Sequence, residues 1–326
     1  MRPKPTIPPE DLSGLKFYQF VSLYKQTKDF DVIIIGGSYA GLSAAMTLGR
    51  ALRTVLIVDS GKSFNADTVH AHNFITQDGE VVSSIATKAK EQVLKYRKVK
   101  FLKDKVEAVI KEKGKFIVQT KRNEKFTAKK VLFATGVVDM MPAIPGFADC
   151  WGISVLHCPY CNGYEVADTD IGIIANADIA YELIKLLYNW SKHLFLFTNG
   201  PASFSQDQKN KLKQKNIVII ETEIAELDHK KGQVKNIILK NGISHPVNAI
   251  FCKLAFLQAT DIPQKQLGCE LTGEGFIKTD MFQKTSVHGV YSAGDNAIKS
   301  RAISVSAATG SIAGMYMNRE MIEESF

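Results

Sequence analysis

Two cysteines stand three residues apart in "HCPYCNGYE", at positions 158 and 161. A helix that starts there brings both sulfurs to one end. Pro159 suits the first helical position, where its missing amide hydrogen is not needed. Cys158 then falls at the N-cap, where the helix dipole favours a thiolate. Such a pair can alternate between dithiol and disulfide. Half of a zinc site is a competing reading, with His157 adjacent, but it needs two more ligands and the chain has no second C-x-x-C. Inert core cysteines are a third. The other cysteines, Cys150, Cys252 and Cys269, have no close partner along the chain.

A second group of residues could hold phosphates. In "DVIIIGGSYAGLSAA", Gly36, Gly37, Ser38, Tyr39, Ala40 and Gly41 follow G-x-G-x-x-G, with Ser38 in the middle glycine's place. The first glycine allows a tight turn, the middle position admits a pyrophosphate, and the last allows close packing of helix on strand. The helix N-terminus adds amide donors and partial positive charge. Asp59 ends the next apolar run, where an acid can grip a ribose hydroxyl. Near the C-terminus, "YSAGD" puts Gly294 and Asp295 just past a strand, the edge at which parallel sheets bind ligands. Gly-Asp alone is also a common turn. The helix that follows begins near "SRAISVSAATG", around Ala302 and Ile303, and its small residues permit close approach to a bulky ligand.

These residues need elements to position them. "DVIIIGG", "SYAGLSAAMTLGRAL" and "TVLIVD" read as β-α-β, with the continuous apolar strands of a parallel sheet. A helix follows over 80–97, then short alternating strands with turns at Lys113-Gly114 and Arg122-Asn123, and "KKVLFATG" closes this section at Gly136. A second β-α-β runs through "DIGIIA", "DIAYELIKLLYNW" and "HLFLFTNG". The predicted fold is α/β: two Rossmann-like, three-layer ββα nucleotide-binding domains, the second inserted in the first. The divisions are an extension at 1–30, one domain at 31–139 and 248–326, and the other at 140–247. The extension holds a helical apolar pattern, Leu15 to Tyr24, that could dock on the body or on a second subunit.

Composition narrows the class. Hydrophobic residues at 45% and charged residues at 23% describe a globular chain with a real core. No apolar run is long enough to span a bilayer, and the N-terminus lacks a secretory pattern, so a cytoplasmic protein is expected, without a membrane partner. Net charge is +8, and residues 88–130 carry 16 Lys or Arg against five Asp or Glu. Those basic residues alternate with apolar ones at strand spacing and form no aromatic-interleaved stripe, which argues for a solvated face and against nucleic acid.

The fingerprint at Gly36–Gly41, "ATG" at 134–136, Cys158-Pro-Tyr-Cys161 and "YSAGD" at 291–295 together resemble thioredoxin reductase and its relatives over residues 31–320. The resemblance implies FAD as cofactor, with Asp59 on the adenosine ribose and Asp295 near the ribityl chain and pyrophosphate. Cys161 would face the flavin, and Cys158 would exchange with a dithiol or disulfide substrate. It also implies a homodimer. His70 and His72 could lie near the flavin in this family; a surface or packing role serves as well.

Three departures stand out. Relatives that use NADPH carry a second G-x-G-x-x-A, which falls here on Ala175, Ala177 and Ala180. Alanine at the close-approach position pushes against a pyrophosphate. Where those relatives place arginines for the 2′-phosphate, this chain has Thr198-Asn199-Gly200. Asn162 stands where the reductases have an acid, and it cannot titrate; His157 or Glu165 would have to substitute. The pattern is similar to a subgroup of FAD-dependent dithiol oxidases with an eroded NADPH site, though these usually carry histidine at the position of Asn162. The expected function is an FAD-dependent dithiol/disulfide oxidoreductase not reduced by NADPH, with oxygen or another acceptor taking the electrons. The alternatives are an NADPH-dependent thioredoxin reductase with an atypical site, and a flavin-bearing redox sensor. The dithiol is a small molecule or a thioredoxin-like protein.

Overall fold

A computed structural model describes residues 29–61 and 68–326. The N-terminal helical pattern therefore lies outside the described residues. In chain order the first part runs β1 (Asp29–Ile35), α1 (Tyr39–Arg50), β2 (Val55–Asp59), α2 (Val82–Leu94), β3 (Val99–Lys103), β4 (Val106–Glu112), β5 (Lys115–Thr120) and β6 (Lys125–Phe133). The sheet order is β3-β2-β1-β6-β5-β4. Strands β3, β2, β1 and β6 are parallel, while β4 and β5 form the antiparallel meander. Its tight turns fall where the sequence puts them, with Lys113, Gly114 and Asn123 all at positive φ. Strands β1 and β2 read as unbroken apolar runs because both faces are covered, by α1 on one side and the meander on the other.

The chain then crosses through β7 (Val137–Asp139) into a second sheet. This part runs β8 (Val155–Leu156), the one-turn helix α3 (Pro159–Asn162), β9 (Ile171–Ile174), α4 (Ala177–Leu187), β10 (Leu194–Phe197), α5 (Gln206–Gln214), β11 (Val218–Ile220), β12 (Ile224–Lys230), β13 (Gln233–Leu239) and β14 (Ala249–Cys252). Its parallel order is β8-β14-β9-β10-β11. The chain returns through β15 (Phe256–Gln258), which pairs antiparallel with β7. It re-enters the first sheet as β16 (Val290–Ser292), beside β6, and ends in α6 (Ile303–Glu323). Two α/β units, the second inserted in the first, is thus the observed layout. One boundary moves. Residues 249–252 pair with β9 in the second sheet, on the far side of the division at 247/248. Apolar runs look alike in both parallel sheets, and only pairing tells them apart.

Helix α6 packs along α1. Its Gly310 lies so close to the Ala40 carbonyl that a methyl there would overlap it, and Ser43 Oγ donates to the Ala307 carbonyl at 2.6 Å. The small residues of α6 at 310, 313 and 314 thus serve helix–helix contact, a use that the ligand-approach reading did not foresee.

The C-terminal turn of α6 closes over a buried lysine. Lys130 is 2% exposed, and its ammonium bonds Glu324 and lies 3.2 Å from Glu320 Oε1. His288, Glu320 and Glu324 form a cluster of metal-ligand types, but the Lys130 ammonium already bridges the two carboxylates. Burial works against ionised Glu320, yet the Tyr291 hydroxyl, Lys130 and Lys284 outweigh it and hold its pKa below the usual value. This contribution is present above the unfolded-state pKa and is lost as pH falls through the lowered folded value. Lys130→Met should destabilise the fold by about 3 kcal/mol in urea titration, because it removes the buried cation held between Glu320 and Glu324. Adding Glu320→Gln should restore part of that loss.

Candidate functional site

The first candidate phosphate-binding edge is built by β1, α1 and β2. Gly36 adopts φ +107°, and its amide donates to the Val58 carbonyl at 2.9 Å, which turns the chain into the helix. A methyl on Gly41 would overlap the Gly36 carbonyl oxygen, so the helix meets the strand at backbone distance. Ser38 is the N-cap of α1, and among the described residues its side chain makes no capping bond. The first amides of α1 are therefore not taken by a side chain. Asp59 ends β2 and accepts from the Gly37 amide at 3.1 Å and the Gly61 amide at 3.2 Å. A carboxylate has lone pairs beyond those two for a ribose hydroxyl. Glycine turn, uncapped helix and acid fit the adenosine and pyrophosphate of a dinucleotide.

Asp295 stands across the same edge, after β16. It accepts from Ser306 Oγ at 3.1 Å and lies 3.8 Å from Arg301 Nε. Burial raises its pKa against the opposing pull of Arg301. Gly294 and Gly136 both sit at positive φ beside it on the C-terminal edge of the sheet. Ala302 caps α6 and Ile303 opens it. The residues singled out near 36–41, 59, 136, 294–295 and 302–303 thus converge on one end of one sheet.

Cys158 and Cys161 form a disulfide, with Cα atoms 5.3 Å apart. Cys158 is the N-cap of α3 and Pro159 its first residue, as the spacing implies. The helix is a single turn, so its dipole is small. Sulfurs bonded to each other cannot both ligate zinc. Cys150, Cys252 and Cys269 are buried, and burial raises all three thiols. They are poor thiolates. Of the two substitutes for a missing acid, Glu165 meets His72 of the first unit at 3.4 Å. His157 is buried in a different environment. Burial first, and then the Arg301 guanidinium, lower its pKa to about 4, so it is neutral at pH 7. His70 is exposed and turned toward the Gly79 carbonyl.

The turn of the second fingerprint is tied down by its own side chains. Asn176 caps α4: its Oδ1 accepts from the Ala177 amide at 2.8 Å and the Ser203 amide at 2.9 Å. Its Nδ2 donates to the Pro201 carbonyl at 2.9 Å. One carboxamide therefore ties the turn after β9 to the loop after β10. Gln208 of α5 adds a bond to Asp178 at 2.8 Å. Ala177 holds φ +54°, a left-handed conformation that alanine disfavours. The turn has kept a glycine's shape without the glycine. In the next loop, Asn199 Oδ1 accepts from the Ile224 amide at 2.8 Å, and Thr198 Oγ1 donates to the Gly200 carbonyl at 2.6 Å. Both polar side chains are committed to the fold.

Sequence reasoning missed three of these residues. It read the alanines at 175 and 177 as lost glycines and passed over Asn176 between them, although Asn before a helix is a strong capping signal. It passed over Arg301 and Asp139, which meet in a bidentate ion pair across 162 positions. No local pattern marks such a pair.

Residues 30–311 match the family model described as pyridine nucleotide-disulphide oxidoreductase. The thioredoxin reductase sirT of Leptosphaeria maculans is 31% identical, over 89% of this chain and 93% of the relative. The thioredoxin reductase aclD of Aspergillus oryzae is 28% identical, over 88% and 94%. Among solved structures, an oxidoreductase from Agrobacterium tumefaciens superposes with a TM-score of 0.84 at 33% identity, covering 90% of this chain and 99% of that one. Among the described residues, no helix is long and apolar enough to cross a membrane.

Proposed function

Because the chain belongs to the pyridine nucleotide-disulphide oxidoreductase family, as an FAD-dependent oxidoreductase of the thioredoxin reductase-like class, we propose that it oxidises dithiols to disulfides without drawing electrons from NADPH. One contrast carries this reading. The N-terminus of α1 is free of side-chain caps, whereas that of α4 is filled by the Asn176 carboxamide. A pyrophosphate fits the first and must displace three hydrogen bonds at the second.

In this reading FAD lies on the first edge, with Asp59 at its adenosine ribose and Asp295 near its ribityl chain. A substrate thiolate attacks Cys158 Sγ; the Cys158–Cys161 bond breaks and leaves Cys161 as thiolate. The second substrate thiolate attacks the mixed disulfide, which releases oxidised substrate and leaves Cys158 reduced. When bound, FAD would take the electron pair from the cysteines and supply it to oxygen or another acceptor. Asn162 cannot carry a proton, so the reading gives that task to Glu165 and its partner His72. The substrate is a small dithiol or a thioredoxin-like protein, and the enzyme is a cytoplasmic homodimer.

The test is an anaerobic titration of the FAD-loaded protein. Dithiothreitol should bleach the flavin and NADPH should not; air should restore the colour and yield peroxide. Rapid bleaching by NADPH would sink the proposal in favour of an NADPH-dependent thioredoxin reductase, the activity in the relatives' names.

A further inference from the structure

The two units are joined by two chain crossings, which pair as the β7–β15 ribbon. Arg301 grips that ribbon. Its two terminal nitrogens donate to the two oxygens of Asp139 at 2.9 and 3.0 Å, a planar match that lysine cannot reproduce. Both side chains are out of solvent, Asp139 at 1% and Arg301 at 11% exposed. The Nε edge of the same guanidinium faces Asp295 at 3.8 Å. The main chain of Arg301 hydrogen-bonds the ring of His157, the residue before Cys158. The next residue, Ala302, caps α6. One residue thus touches the crossing ribbon, the binding edge of the first sheet and the neighbour of the redox disulfide.

We propose that Arg301 is the positioning residue that fixes the Cys158–Cys161 disulfide relative to the first nucleotide edge. It holds the ribbon through Asp139 and the disulfide's neighbour through His157. Without the clamp, Asp139 is a buried carboxylate lacking its partner, and the short strands β7 and β15 are left to hold the register alone. An error near 1 Å between donor and acceptor costs about 100-fold in rate. The inference goes beyond the proposed function. It requires the disulfide to react at the first edge, and holds for any final electron acceptor.

The charged groups facing His157 are Arg301, which disfavours its protonation, and Asp139, which favours it. The Trp151 ring lies 6.2 Å away, centre to centre. His157 therefore reports on the clamp. In FAD-stripped Arg301→Met, followed by NMR of the histidine ring protons, His157 should titrate clearly above its wild-type value near 4. In FAD-loaded Arg301→Met, dithiol-driven bleaching at saturating dithiol should slow by roughly 10- to 100-fold. The half-saturating dithiol concentration and the flavin content should stay as in wild type. Arg301→Lys keeps the charge without the two-point match, and should restore the His157 titration but not the rate. An Arg301→Met protein with an unchanged rate overturns the proposal, whatever its His157 titration. So does a rate that falls only in step with flavin loss. Should Arg301→Met fail to fold, Asp139→Asn decides: a slowed rate is expected, and a wild-type rate overturns the assignment. Wild-type flavin that no dithiol bleaches would instead defeat the proposed function, while the histidine titration still reads the clamp.

Discussion

Cys161→Ser should purify with FAD and fold normally, yet oxidise dithiols at least ~10³-fold more slowly than wild type. The argument rests on the bond between the two sulfurs. In the proposed reaction a substrate dithiol passes its two electrons to the Cys158–Cys161 disulfide, and a serine hydroxyl cannot form one. The remaining thiols offer no detour. Cys150, Cys252 and Cys269 are buried, and burial keeps them protonated. Cys158→Ser should show the same loss for the same reason. Peroxide release and flavin bleaching, measured with matched flavin content, check both variants. Substantial turnover by either single-cysteine protein would mean that electrons bypass the pair.

The second large effect concerns Gly36 and Gly41. Alanine at Gly36 must hold φ +107° while its methyl overlaps the Ala134 carbonyl. Alanine at Gly41 overlaps the Gly36 carbonyl. In both cases the obstacle is backbone, which cannot swing aside as a long side chain would. Strain and overpacking together should cost about 3 kcal/mol or more in either variant. The helix would also be pushed off the strand that aims it at the phosphates. Each protein should be purified with little or no FAD and melt well below wild type, by calorimetry and by flavin absorbance. Gly37→Ala makes a useful comparison. Its methyl would meet the Phe101 ring at 2.8 Å, a side-chain edge that can shift, and Asp59 Cβ at 2.9 Å, which can move only with β2, so the strain is smaller than at Gly36 or Gly41. It should keep its fold and lose cofactor affinity.

The glycine turn of the first edge and the Cys158–Cys161 pair are legible in the sequence because their parts are contiguous. Gly36 to Gly41 is one turn, and Cys158 to Cys161 is one helical step. Local geometry sets these spacings, so residue type alone carries the signal. The two-unit layout is legible too, since buried parallel strands appear as unbroken apolar runs. Pairing at a distance is not. Strand β14 lies in the second sheet because its backbone bonds β9, some 78 residues earlier. His72 meets Glu165, and Arg301 meets Asp139, only after the chain has crossed between units. The closure of the second fingerprint falls between these cases. Its missing glycines are visible along the chain, but the partners of Asn176 lie 25 and 27 residues on.

The Asn176 clasp also bears on any attempt to redesign coenzyme preference. Writing glycine back at 175 and 177 relaxes the backbone at Ala177 but leaves the carboxamide seated in the groove. The loop has been rewired around that amide, and reversion at the glycines alone restores a silhouette without a vacancy. If the proposed reading holds, readmitting a pyridine coenzyme takes removal of the asparagine together with a cation at 198–200.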